Sequence, residues 1–231
     1  MWSRVASTAV LFALAACSTH GGLDPGAGND PGTRTGSVIV GGSVVARPLH
    51  ANARQPEELT SELLVVVTNG TGFVSTGTVT VTSATGVFPL AFVQEEGIGY
   101  WTGSAPGYDE VYVLDVVTEG GTLEGARIDG PDIHVFSQPE EGASVDSAVA
   151  LRVVWERDAK ADSATLEIDS TGRQSLIDTG ETSIPPEVLS VIDVQGLQHT
   201  LRLGRTNSVS LGGTALWSAT VVNAIDVITP P

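Results

Sequence analysis

The sequence predicts an all-β protein: two small β-sandwich domains behind an export signal and a flexible linker. Three observations lead there. From Ser37 onward apolar residues recur with a period of two rather than 3.6. Turn signals such as Asn69-Gly70, Pro106-Gly107 and Gly120-Gly121 separate these short runs. Only one segment, Pro186–Ser190, reads as helix, a single turn with proline at its start. Apolar residues make up 41% of the 231, enough for a core, and one cysteine rules out any disulfide within the chain.

Residues 1–16 form the signal. Met1 to Arg4 carry one positive charge, and Val5 to Ala16 (VASTAVLFALAA) carry none. Twelve helical residues reach about 18 Å, short of the roughly 30 Å of a bilayer core, so the run is a signal-peptide apolar region. Its end, Leu14-Ala15-Ala16-Cys17, resembles the lipobox of bacterial lipoproteins. The resemblance implies cleavage before Cys17 and attachment of acyl chains to its thiol. In that family Ser18, where Asp would favour inner-membrane retention, implies the outer membrane. Residues 17–36 follow as the lipidated Cys and linker. The stretch STHGGLDPGAGNDPGTRTG holds one large aliphatic residue, Leu23, and reads as a flexible tether.

The first sandwich is expected over 37–130. Its strands are Leu63–Val67 (LLVVV), Thr78–Thr82 (TVTVT), Val87–Val93, Val111–Val117 and Leu123–Ile128. Residues 131–144 (PDIHVFSQPEEGAS), rich in proline and acids, mark a junction, and the second sandwich takes 131–231. There Val149, Leu151, Val153 and Trp155 share one face, and Ala164, Leu166 and Ile168 repeat the alternation. Strands at Ser175–Asp178, His199–Leu203 and Trp217–Val227 complete the set.

Residues 60–128, through NGTGFVSTGTVTVTS and IGYWTGSAPGYDEVYVLDV, resemble the small sandwiches of carboxypeptidase-regulatory or transthyretin type. Residues 144–228 resemble an immunoglobulin-like or fibronectin type III-like domain. The strand ending in Trp155, ADSATLEID, HTLRLGRTN and WSATVVNAIDV carry that likeness. Leu201 stands where a tyrosine corner would want Tyr, and the antibody disulfide pair is absent.

Acids outnumber bases 27 to 11, for a net charge of −16. Such a surface repels phosphate backbones, which excludes nucleic acid, and it has no basic patch for anionic lipid heads. It suits a solvated acidic surface, a cation or a basic partner. Asp178-Thr179-Gly180 matches the DTG of aspartic proteases, whose chemistry needs two facing aspartates sharing a proton. Glu181 follows where those families place a small residue, so the motif is read as a strand-ending turn with Asp178 bonded to nearby amides. No serine-hydrolase GxSxG is present, and His20, His50, His134 and His199 lack the spacing of zinc ligands. Asp158 and Asp162, flanking one loop, are the calcium candidates, although no DxDxDG run accompanies them. Trp101 and Tyr108, beside the Gly/Pro loop of GYWTGSAPGYDEVY, are candidates for stacking on a glycan or partner protein.

The expected function is a lipid-anchored, non-enzymatic binding or structural module of the cell envelope. It would need no cofactor, calcium apart. Membrane contact would come through acyl chains on Cys17, with the domains facing the periplasm or the cell surface. The alternative is a hydrolytic enzyme resting on Asp178-Thr179-Gly180.

Overall fold

The computed structural model describes residues 23–169, 172–192 and 198–228. The protein is all-β. The first strands are β1 (Thr33–Gly36), β2 (Ile39–Pro48), β3 (Leu59–Thr68), β4 (Thr78–Ser83) and β5 (Gly86–Pro89). Then come β6 (Ala91–Glu95), β7 (Ile98–Pro106), β8 (Val111–Thr118) and β9 (Gly121–Asp129). Residues 131–144, expected as a junction, contain β10 (Val135–Gln138) and β11 (Ala143–Ser144), and past them lie β12 (Leu151–Glu156), β13 (Ser163–Ile168), β14 (Gly172–Leu176) and β15 (Glu181–Ile184). A short helix, α1 (Pro186–Ile192), precedes the long hairpin β16 (Gln198–Gly212) and β17 (Ala215–Ile228).

That hairpin organises the molecule. The largest sheet runs β14-β13-β16-β17-β2-β3-β7-β6, with β11 alongside the far end of β17. Every odd-numbered residue of β17 from Trp217 to Val227 is buried, while the even ones between them are only half-buried. The period is two throughout, so one continuous inner face lies under two covers. The sheet β1-β9-β8-β4-β5 covers one half, and β10-β12-β15 covers the other. The first core joins Val79, Val81, Leu114 and Val116 to Val44, Leu63, Val65 and Trp217. The second joins Phe136, Val153, Trp155 and Ile184 to Leu166, Leu203, Ile225 and Val227. Each such aliphatic side chain contributes about 1.5–3 kcal/mol by leaving water.

A cut at 130/131 therefore divides the two covering sheets but not the sheet beneath them. β2 pairs in parallel with β17, Trp217 opposite Gly42 and Val221 opposite Ala46. Trp217, Ala219 and Val221, late in the chain, belong to the first core.

The structure adds β2, β7, β10, β11 and β15 to the expected strands, leaves Val149 exposed outside β12, and departs further at two segments. Val87–Val93 is two strands, not one: β5 joins β4 in the upper sheet, and β6 crosses to β7 in the long one. Leu90, buried between them, is the crossing point. The second difference is the linker, because residues 24–36 are strapped to the first sandwich. β1 pairs with β9 from Thr33 opposite Glu124 to Gly36 opposite Gly121. Upstream, Asp30 and Arg127 exchange backbone bonds of 3.0 and 2.8 Å. The amides of Gly26 and Gly28 both donate to Asp129 Oδ2, at 3.0 and 2.9 Å. Strand addition draws on backbone groups, so a segment without apolar side chains can still be fixed at a sheet edge.

Candidate functional site

Inward positions on β16 should be apolar, and Leu201, Leu203 and Leu211 are. Two residues break the series: His199, near the strand's start and 2.7 Å from Asp169 Oδ2, and Arg205, which is fully buried. On β17 the same break falls at Asn223, also fully buried, between Val221 of one core and Ile225 of the other. Arg205 and Asn223 together mark a polar seam between the two apolar cores.

The seam exists because the junction crosses it. Residues 131–134 run through the interior as irregular chain before β10 begins, and buried backbone groups must find partners. The inward polar side chains supply them. Asn207 Nδ2 donates to the Asp129 carbonyl at 2.9 Å, and Arg205 Nη1 to that of Asp132 at 2.9 Å. Asn223 Nδ2 donates to His134 O at 2.7 Å and to Ala53 O at 2.8 Å. Asn52 exchanges two bonds with the backbone of Phe136.

Asp178 sits at the centre with no exposed surface. Its Oδ1 accepts from Trp155 Nε1 at 2.9 Å, and its Oδ2 from the Ala161 amide at 2.7 Å and Arg205 Nε at 3.0 Å. Arg157 Nε lies 3.3 Å from Oδ1. Burial raises the Asp178 carboxyl, but the Ala161 amide, the Trp155 indole and Arg205 outweigh it and hold the group below its ordinary value. Asp132 behaves alike: burial pushes it up, and the Asp158 amide with Arg205 pulls it down further. Arg205 spans both, with Nη2 3.2 Å from Asp132 Oδ1 and a further bond to the Ala159 carbonyl.

His134 is fully buried beside this network. Its Nε2 donates to Leu203 O at 3.0 Å, which leaves Nδ1 without a partner among the described residues. Burial, and then the nearby Arg205 charge, push its pKa down to about 3, so the ring stays neutral.

The sequence-predicted residues fall as follows. Trp101 and Tyr108 are not exposed contacts. Trp101, 5% exposed in β7, donates from Nε1 to Val74 O at 3.0 Å and meets Phe92 edge-on. Tyr108, 4% exposed, donates its hydroxyl to Pro131 O at 2.6 Å. With aromatics at 5% of the chain, the first core takes up both rings. The Asp158 amide donates to Asp132 Oδ2 at 2.6 Å. Asp162 accepts the Ser208 amide at 2.8 Å and donates its own amide to Asn207 Oδ1 at 3.1 Å. Among the described residues no group of three or more His, Cys, Asp or Glu is placed to hold a metal ion. Cys17 lies outside the described residues, and no described helix is long and apolar enough to cross a membrane.

Sequence reasoning placed Asp178 at a turn bonded to amides. It missed Arg205, Asp132, His134 and Asn223. For Arg205 and Asn223 the readable signal is a polar residue in the inward phase of an otherwise alternating strand.

No family model and no curated protein matches the chain. One solved structure, described as structural insight into host cell surface retention of a 1.5-MDa bacterial ice-binding adhesin, aligns at 13% identity and a TM-score of 0.27. The alignment covers 83% of this chain and 66% of that one.

Proposed function

We propose that this is an exported, lipid-anchored protein of the bacterial envelope, working as a non-enzymatic binding or structural module. The observation that carries the non-enzymatic part is the state of Asp178, the one residue with a catalytic precedent in the sequence. It is sealed from solvent, and its carboxylate is shared among Trp155, Ala161, Arg157 and Arg205. A carboxylate so enclosed reaches no substrate and serves as the pin of the seam. The anchor rests on Leu14-Ala15-Ala16-Cys17 at the end of an uncharged apolar run. Because the strap begins at residue 24, the chain from Cys17 spans at most about 25 Å. Lipid on Cys17 would therefore keep the sandwich close to the bilayer. In a cell that processes lipoproteins, Cys17→Ala should abolish incorporation of labelled fatty acid and move the protein out of the membrane fraction. A variant that still carries label, or stays membrane-bound like the parent, would refute the anchor.

A further inference from the structure

The face of the long sheet opposite the cores has two unlike halves. Behind the second sandwich its outward residues are polar, as where Glu167 on β13 lies opposite Arg202 on β16. Behind the first sandwich they are apolar. Ile39 on β2, Leu64 on β3, Ile98 on β7 and Leu216 on β17 are 50, 40, 57 and 50% exposed. The register gathers further apolar residues between them. Gly41 lies opposite Val66, and Val93 on β6 lies opposite Tyr100 on β7, all in the outward phase. Leu64 is flanked by Ser43 on one side and Thr102 on the other. On β2, β3, β7, β6 and the Leu216–Thr220 part of β17, the only charged outward residues are Arg47, Glu62 and Glu95. Arg47 and Glu62 cancel in an ion pair of 3.0 Å, and Glu95 stands at the rim.

We infer that this face packs on the same face of a second copy of the chain, sheet on sheet, in a two-fold dimer. The inference goes beyond the structural-module reading and stands whether or not Cys17 carries lipid. Three features select that occupant. The first is charge: copies of net charge −16 repel each other, and this face lets them meet with almost no charge between them. The second is area. Five strands about 4.8 Å apart and about 20 Å long present roughly 500 Å² in plan, and more as ridged accessible surface, close to the ~600 Å² that each partner brings to a small stable interface. The third is shape. Apart from its chain neighbours, a Cβ on Gly41 would meet nothing nearer than the Leu216 carbonyl oxygen at 3.5 Å, so Gly41 leaves a notch beside Val66. Leu64 stands two residues along the same strand as Val66, 40% exposed. A copy turned over on this face offers a knob to each notch, which is the self-complementarity a two-fold interface requires.

The test is sedimentation of residues 17–231 with Cys17→Ser, which can form neither an acyl link nor an intermolecular disulfide. The mass should double as the concentration rises from about 1 to about 100 µM, and added salt should tighten the association by screening the net charge. Leu64→Glu brings a carboxylate from each copy into the contact and should weaken association about tenfold or more. Gly41→Val fills the notch and should weaken it too. Both variants alter only the outer face, and an unchanged melting temperature in dilute solution checks their folds. A monomer mass throughout, or undiminished association in either variant, would overturn the inference. So would capture of the chain by phosphatidylcholine vesicles that is lost in Leu64→Glu, a result that would assign the face to a bilayer.

Discussion

His134 meets the folded and unfolded chain on different terms. In the seam it is neutral down to about pH 3, whereas unfolded it takes up a proton near 6.5. Between those values the unfolded state binds the extra proton, so stability is full above 6.5 and falls as pH drops toward 3. The slope is about 1.4 kcal/mol for each pH unit within that window. His134→Gln can keep a donor for the Leu203 carbonyl without titrating. Urea melts at pH 6 and 4.5 should show the parent losing stability faster than the variant, by about that slope. Equal losses would mean that His134 is protonated in the folded state. Asp178 and Asp132, held low, begin to lose their contribution as pH falls through the ordinary carboxylate value of 3.8, below both pH values of the melts. None of this was legible from the sequence, because one histidine in PDIHVF gives no sign that its backbone is threaded through an interior.

At the scale of elements, the alternating strands were legible, β4, β8, β12 and β13 most clearly. Of those missed, β2 and β7 do bury apolar residues such as Val44 and Trp101, but others are held by something besides side-chain pattern. β1 is the plain case, since TRTG has no apolar residue and its fixation comes from backbone pairing to β9. A turn geometry closes that pairing. Gly36 has φ +73°, and a Cβ there would lie 2.2 Å from the Gly120 carbonyl oxygen. Gly36→Ala should therefore strain the turn and loosen the strap while leaving both cores intact. Trypsin cleavage after Arg34, which is exposed on β1, reads this directly: the variant should be cut faster at that bond, with an unchanged melting temperature. Unaltered cleavage would show that the strap does not depend on its terminal glycine.

For the molecule as a whole, composition and period gave the class, two sandwiches gave the two covers, and neither revealed the common floor. The parallel pairing of β2 with β17 joins residues far apart in sequence, and no local pattern encodes it. The seam makes that floor one mechanical unit. Arg205→Met would strand Asp178 and the Asp132 carbonyl in a dry interior, a loss of about 3–5 kcal/mol. Trp155 reports the second core and Trp217 the first. Urea midpoints read from each indole, the other tryptophans being replaced by Phe, should coincide in the parent and shift together on Arg205→Met. A shift at Trp155 alone would show that the two cores melt separately.

β17 also constrains how this gene can change. Its inner face keeps one parity from Trp217 to Val227, across a seam where the cover above it changes. Inserting one residue between Val221 and Asn223 would keep one core in phase and turn Ile225 and Val227 of the other toward water. Inserting two would restore the parity. Most sandwich pairs can drift in length where one hands over to the next, because a loop absorbs the difference. Here the handover lies inside a strand, and length changes at that point are tolerable only in even numbers.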